Sequence, residues 1–172
     1  ADASRRTTSL NAYVSGIGST HRVVLYDTLV DSVPQDQVLA VVAHELAHAR
    51  HRDVVTGTTL GALGAFATVG LLGMVLRDPR ARSAGGLAAM LLALVAWGSV
   101  VSAPVENGIS RAIETRADVD ALKATGDPVA FGEVQRLLAL RSLADPSPPR
   151  LAQWWWGSHP TVLERMAVAD AI

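Results

Sequence analysis

Two uncharged stretches constrain this chain more than any other feature. Residues 54–76 carry no charged side chain, and neither do residues 84–105. Each is longer than the ~20 residues needed to cross the hydrocarbon core of a bilayer. Only the polar turn Arg77-Asp78-Pro79-Arg80-Ala81-Arg82-Ser83 separates them. They predict two transmembrane helices at 54–76 and 84–105, paired as a hairpin; a hairpin buried in a soluble core is the alternative. Gly57, Gly61, Gly64 and Ala65 in the first run, and Gly85, Gly86, Ala88 and Ala89 in the second, would let helices approach closely, as they do in membranes.

The rest of the chain reads as a single domain over 1–172, mainly α, with a short β-hairpin. Residues 11–14 and 22–26 have strand character, and Val23, Val24, Leu25 and Tyr26 supply its β-branched, apolar and aromatic residues. The glycine-rich turn Ser15-Gly16-Ile17-Gly18-Ser19-Thr20 joins them. A helix is expected from about Val33, with Ser32 as N-cap, Pro34 in the first turn and Gln35 completing a capping box. Val38, Leu39, Val42 and Leu46 follow at helical spacing. After the second apolar run, which ends at Pro104 and Glu106, an amphipathic helix is expected over about 109–124. Gly126 would stop it, and Asp127 and Pro128 would start another with Phe131, Val134, Leu137 and Leu138 as its stripe. A proline-rich loop covers 145–149, and a last helix about 160–169. The trio Trp154, Trp155 and Trp156 reads either as a membrane-interface element or as core.

Charge and cysteine content narrow the function classes. Fifteen basic residues against 16 acidic ones leave a net charge of −1, and no basic tract stands out, so nucleic acid is not an expected partner. With no cysteine, any metal must sit on His, Asp or Glu. The start, Ala1-Asp2-Ala3-Ser4-Arg5-Arg6, lacks an apolar signal region and an initiator Met, so the sequence reads as the later part of a longer membrane protein. Lys123 is the only lysine beside many arginines, and Ala, Val and Gly are abundant; this is the composition of a GC-rich bacterial genome, and the expected location is the bacterial inner membrane. Arg50, Arg52, Arg111, Arg116 and Lys123 outnumber Arg77, Arg80 and Arg82, which favours a cytoplasmic catalytic side.

The chemistry is carried by His44-Glu45-Leu46-Ala47-His48, an H-E-x-x-H pattern. Side chains four apart on a helix share a face, so His44 and His48 can bind one ion. Imidazole suits zinc, and three protein ligands would leave a position for water. Zinc lowers the pKa of water to about 7, and Glu45, beside His44, is placed to act as the base. His51 lies about 60° round the helix from His48 and would point past the metal. His21 is in a strand and His159 is distant in sequence. Glu114 is better placed, because its helix returns after the apolar hairpin, and Asp118 shares its face and could orient a ligand imidazole. On spacing alone, Glu114 and Asp118 read equally well as i,i+4 acids among arginines.

Ser110-Arg111-x-x-Glu114-x-x-Ala117-Asp118 after H-E-x-x-H resembles the M48 metalloproteases. Ser9-Leu10-Asn11-Ala12-Tyr13 and Arg22-Val23-Val24-Leu25-Tyr26-Asp27-Thr28-Leu29-Val30 resemble the CAAX prenyl protease (Ste24-type) branch of that family. Val38-Leu39-Ala40-Val41-Val42-Ala43 and Ser158-His159-Pro160-Thr161-x-x-Glu164-Arg165 fit as well, so the resemblance covers nearly the whole chain outside the apolar runs. It implies His44, His48 and Glu114 as ligands of one zinc ion, Glu45 as the catalytic glutamate, and His159 as a residue steadying the tetrahedral intermediate. It further implies Asn11 and Ala12 on an edge strand along which substrate lies, and Arg165 paired with Asp118. Taken without the family, His159 could be a helix-start residue and Arg165 a solvated charge. Members of this branch carry further membrane helices before the hairpin, and these have no counterpart in this sequence.

The expected activity is a membrane-embedded zinc endopeptidase of CAAX-processing type, acting on a peptide or protein substrate that is membrane-associated or lipidated. A second reading is an M48 protease that clears damaged membrane proteins. A third, of another class, is a non-catalytic membrane scaffold that holds zinc for structure, which would call for a fourth protein ligand.

Overall fold

The computed structural model describes residues 1–16, 18–75, 77 and 84–172. The turn between the two apolar runs, apart from Arg77, and Ile17 of the glycine-rich turn lie outside them. The elements run β1 (Ala12–Ser15), β2 (Arg22–Leu25), α1 (Asp27–Ser32), α2 (Gln35–His51), α3 (Asp53–Val75), α4 (Ala84–Thr125), α5 (Pro128–Ser142), α6 (Arg150–Trp156) and α7 (Val162–Asp170). The fold is mainly helical with one two-stranded antiparallel sheet, as expected.

β1 and β2 pair in the register Ala12↔Leu25 and Val14↔Val23. Gly16 starts the turn at φ 94°, where a Cβ would lie 2.2 Å from the Thr20 carbonyl oxygen, so only glycine fits there. Tyr26 N donates to Asn11 O at 3.1 Å. In an antiparallel ladder the bonding direction alternates. Asn11, Tyr13 and Ser15 therefore face β2, while Ala12 and Val14 turn their backbone N–H and C=O to the open edge.

The start of the metal-bearing helix differs from expectation. Ser32 ends a separate helix, α1, and α2 begins at Gln35 after Pro34, with no side-chain cap. The reason is Asp27. Its carboxylate accepts from Thr28 N at 3.0 Å, Ala3 N at 2.8 Å and Ser4 Oγ at 2.6 Å. It thereby starts α1 and ties the N-terminal segment to it. The Ser4 hydroxyl, aided by the Ala3, Ser4 and Thr28 amides, outweighs the opposing effect of burial and holds the Asp27 pKa down at about 2.

The core is shared by Leu29, Val33, Ala40, Ala121, Leu122, Phe131, Val134 and Ala169, from α1, α2, the last part of α4, α5 and α7. α5 begins as expected, with Asp127 Oδ1 accepting from Ala130 N at 2.9 Å and Gly126 at φ 63° closing α4. α7 begins at Val162 on a capping box between Thr161 and Glu164, which accounts for the Thr161-x-x-Glu164 spacing in physical terms.

The expected helix over 109–124 is not separate. α4 runs unbroken from Ala84 to Thr125 through Pro104, so one rod joins the second apolar run to the packed domain. Among the described residues, none of α3 or of the first half of α4 is in the buried core; Phe66 is 77% exposed and Trp97 70%. Both helices are long and apolar enough to cross a membrane.

Candidate metal centre

Helical spacing on α2 brings the two imidazoles edge to face, with ring centroids 4.7 Å apart. His44 Nε2 and His48 Nε2 are 3.1 Å apart. Glu114 reaches in from α4, its Oε2 3.4 Å from His44 Nε2 and its Oε1 3.6 Å from His48 Nε2. A tetrahedral zinc site with the usual bond lengths has ligand–ligand edges of about 3.3 Å. The closest approaches are near that edge, those of Glu114 being made by its two different oxygens, and one donor atom from each residue lies within 4.8 Å of the others. Imidazole nitrogen with carboxylate oxygen is a donor set that suits zinc. Among the described residues this trio is the one metal-competent cluster. It contains no fourth protein ligand, which leaves a coordination position open.

The far side of each ring fixes which nitrogen faces the metal. His44 Nδ1 lies 2.8 Å from Asp118 Oδ1, and His48 Nδ1 lies 2.9 Å from Asp53 Oδ2. An Nδ1–H donated to a carboxylate leaves the Nε2 lone pair for the ion. Asp118 is itself held by Arg165, whose Nε donates to Oδ2 at 2.7 Å and whose terminal nitrogen donates to Oδ1. Asp53 is held by Arg116.

Asp53 was not singled out in the sequence. It reaches His48 because Arg52 adopts a left-handed conformation, φ 57°, and ends α2 with its N–H on the His48 and Ala49 carbonyls. The chain then turns back so that the first residue of α3 faces the metal helix. An acid five residues after the second histidine was the available signal, but five residues is not a helical contact distance, and only the left-handed break makes it one.

The remaining residues fall into two groups. His159 Nδ1 is 3.3 Å from Glu114 Oε2 and the ring is largely exposed, so the loop before α7 stands at the mouth of the site. His51 turns away, its Nε2 2.8 Å from Asp120 Oδ2. His21 lines the far end of a cavity of about 890 Å³ that also touches Tyr13, Glu45, His48 and Glu114. A second cavity of about 420 Å³ meets the same atoms from the other side, bordered by Asn11, Ala12, His44 and His159. The metal-facing atoms thus lie where two cavities join along β1. Ala12 and Val14 turn their outer backbone groups to that junction, where the Val14 amide already faces Glu45. The Asn11 carbonyl does not, being taken by Tyr26.

The electrostatics favour a cation. Burial works against a charged His44, yet Asp118 and Glu114 outweigh it and raise its pKa to about 9. Burial also opposes ionisation of Glu114, but His159 and His44 overcome it and hold the carboxyl well below the ordinary range. Asp118 is lowered likewise against burial, by His44 and Arg165. This anionic pocket suits a divalent ion. Glu45 goes the other way. Burial raises its pKa above the ordinary value, against His44, His48 and the Val14 amide that faces its carboxylate. A carboxylate raised in this way is a stronger proton acceptor.

The profile of peptidase family M48 matches residues 1–172. The chain belongs to this family. Among M48 relatives, it is 30% identical to the metalloprotease YhfN of Bacillus subtilis over 97% of this chain and 42% of that one. It is 33% identical to an HtpX protease homologue of Acidiphilium cryptum over 70% of this chain and 43% of the relative. The crystal structure of S. mikatae Ste24p superposes with a TM-score of 0.83 at 28% identity, covering 98% of this chain and 44% of the other. The chain spans less than half the length of the relatives it matches.

Proposed function

We propose that this chain is the catalytic part of a membrane-embedded zinc endopeptidase. The observation that carries the reading is the junction itself: three donors close enough to share one ion, the outer edge of β1 beside them, and Glu45 between the two. His44, His48 and Glu114 would hold zinc. When bound, zinc supplies Lewis acidity, which polarises a scissile carbonyl and makes water acidic near neutral pH.

The protein's own groups supply the rest. Ala12 and Val14 would pair with an extended peptide by β-augmentation and hold its backbone across the site, with the Asn11 side chain beside them. Glu45 would take a proton from the attacking water and return it to the leaving amine. His159, at the mouth, would donate to the oxyanion, a contribution of roughly 3 kcal/mol in comparable sites. Asp118, fixed by Arg165, would orient His44, as Asp53 would orient His48. Residues 54–76 and 84–105 would cross the bilayer, with the site facing the cytoplasm from a bacterial inner membrane.

The likeness to Ste24p supports a CAAX-processing type of substrate, membrane-associated or lipidated. The HtpX homologues support the second reading, clearance of damaged membrane proteins. Presenting a farnesylated peptide beside an unfolded membrane protein separates the two: cleavage of the first alone supports the CAAX type, and cleavage of the second alone supports clearance. For the mechanism, Glu45→Gln is expected to lower cleavage by about 10²–10⁴-fold, as loss of a general base does, with zinc content unchanged. Full activity in that variant would contradict the role of Glu45.

A further inference from the structure

Pro104 lies inside α4 and has no N–H, so the carbonyl four residues earlier, that of Val100, loses its helical partner. The indole Nε1–H of Trp155 donates to that carbonyl at 2.9 Å. Asn107 Nδ2 donates back to the Trp155 carbonyl at 2.6 Å. Arg111 donates to the carbonyls of Gln153 and Trp154, at 3.2 and 3.4 Å, and to that of Gly157. α6 is therefore seated on residues 100–111 of α4 by side-chain hydrogen bonds in both directions, one of them to the carbonyl that Pro104 orphans. That stretch brackets the end of the apolar run at Val105. The flanking residues of Trp155 lie about 100° to either side on the helix and are exposed, Trp154 at 49% and Trp156 at 62%, as is Leu151 at 70%.

We propose that α6 is a bilayer-interface anchor, seated at the proline break of α4, whose Trp154 and Trp156 rest at the lipid headgroup level. The inference rests on the reading of α3 and α4 as membrane helices, because α6 is seated on α4 at the end of its apolar run. Tryptophan suits this place: its ring is apolar and its N–H needs a partner, which is why it concentrates at membrane–water boundaries. Trp155 uses its N–H inward, and the other two are free to use theirs toward headgroups. The anchor would also fix the height of His159, which follows α6 by three residues, above the metal-facing atoms.

The chain has no cysteine, so single nitroxide labels can be placed in the full chain in phosphatidylcholine vesicles. Labels at Trp154→Cys and Trp156→Cys report on α6. Ala152→Cys, one turn before Trp156, does so with all three tryptophans in place. Phe66→Cys on α3 is the lipid reference. Val129→Cys, just beyond the end of α4 farthest from the apolar run, is the water reference. The readout is the ratio of collisions with oxygen to collisions with a polar nickel chelate. The anchor predicts ratios for the α6 labels between those of Phe66 and Val129. Ratios at all three equal to Val129, with Phe66 lipid-like, would overturn the anchor and leave the membrane reading standing. A water-like Phe66 would remove both.

Discussion

Before Pro104, helix α4 carries Leu92, Val95, Trp97 and Val101 on open surface; after it, Ala117, Asp118, Ala121 and Leu122 are buried. The same helix thus meets two different surroundings. Its first half is apolar all round, which is how a helix surrounded by lipid is composed. Its second half is amphipathic, and its buried face carries a charge, Asp118, that is tolerated because Arg165 and His44 satisfy it. The difference teaches where the metal centre sits in the chain's economy of contacts. Glu114 and Asp118 project from a rod whose far end lies outside the protein core, so the ligand on α4 and the ligands on α2 are brought together by packing in one half only.

Substitutions should sort by half. Phe131→Ala, in the core and fully buried, is expected to cost about 3–5 kcal/mol in denaturant unfolding from detergent. Phe66→Arg is expected to leave that core unchanged, within about 0.5 kcal/mol, and to weaken membrane insertion by about 2.5–3.5 kcal/mol. Equal core destabilisation by both would break the division between the halves.

Asp53 sharpens it, since it is the first residue of the apolar helix α3 yet serves the packed half. Asp53→Ala is expected to weaken zinc binding by about 10–100-fold, measured by competition with a chelator, with no change in helix content. An unchanged affinity would reduce Asp53 to a helix-start residue.

The smallest effect lies at the N-terminal segment. The Asp27 pKa is about 2 against an ordinary 3.8. A depressed carboxylate contributes stability above its unfolded pKa and loses it as pH falls through the folded one. Stability should therefore decline between about pH 4 and 2, and Asp27→Asn should flatten that part of the pH profile. A profile unchanged by the substitution would show that Asp27 does not hold the segment.

What the sequence made legible was local or periodic. H-E-x-x-H could be read because a spacing of four on a helix is contact, and the two long apolar helices because each run carries no charge over more than twenty residues. α1 was hidden, because its start depends on Asp27 meeting Ala3 and Ser4 across more than twenty residues of sequence. The unbroken course of α4 was hidden by Pro104, a residue that ordinarily ends or kinks a helix; here the carbonyl it orphans is taken by Trp155, a partner 55 residues away. Asp53 was hidden by a left-handed Arg52, a conformation that sequence does not signal in a residue other than glycine or asparagine. The capping box of Thr161 and Glu164 is visible in the sequence as a Thr-x-x-Glu spacing.

The central claim is that His44, His48 and Glu114 form one zinc site, and elemental analysis tests it most directly. The measurement is zinc per chain, in detergent, for the wild type and for Glu114→Ala. The account predicts about one zinc per wild-type chain, the stoichiometry of a single three-ligand site, and loss of that zinc in the variant. Equal zinc in the two proteins would contradict the assignment of Glu114 and, with it, the site built around the junction of α2 and α4.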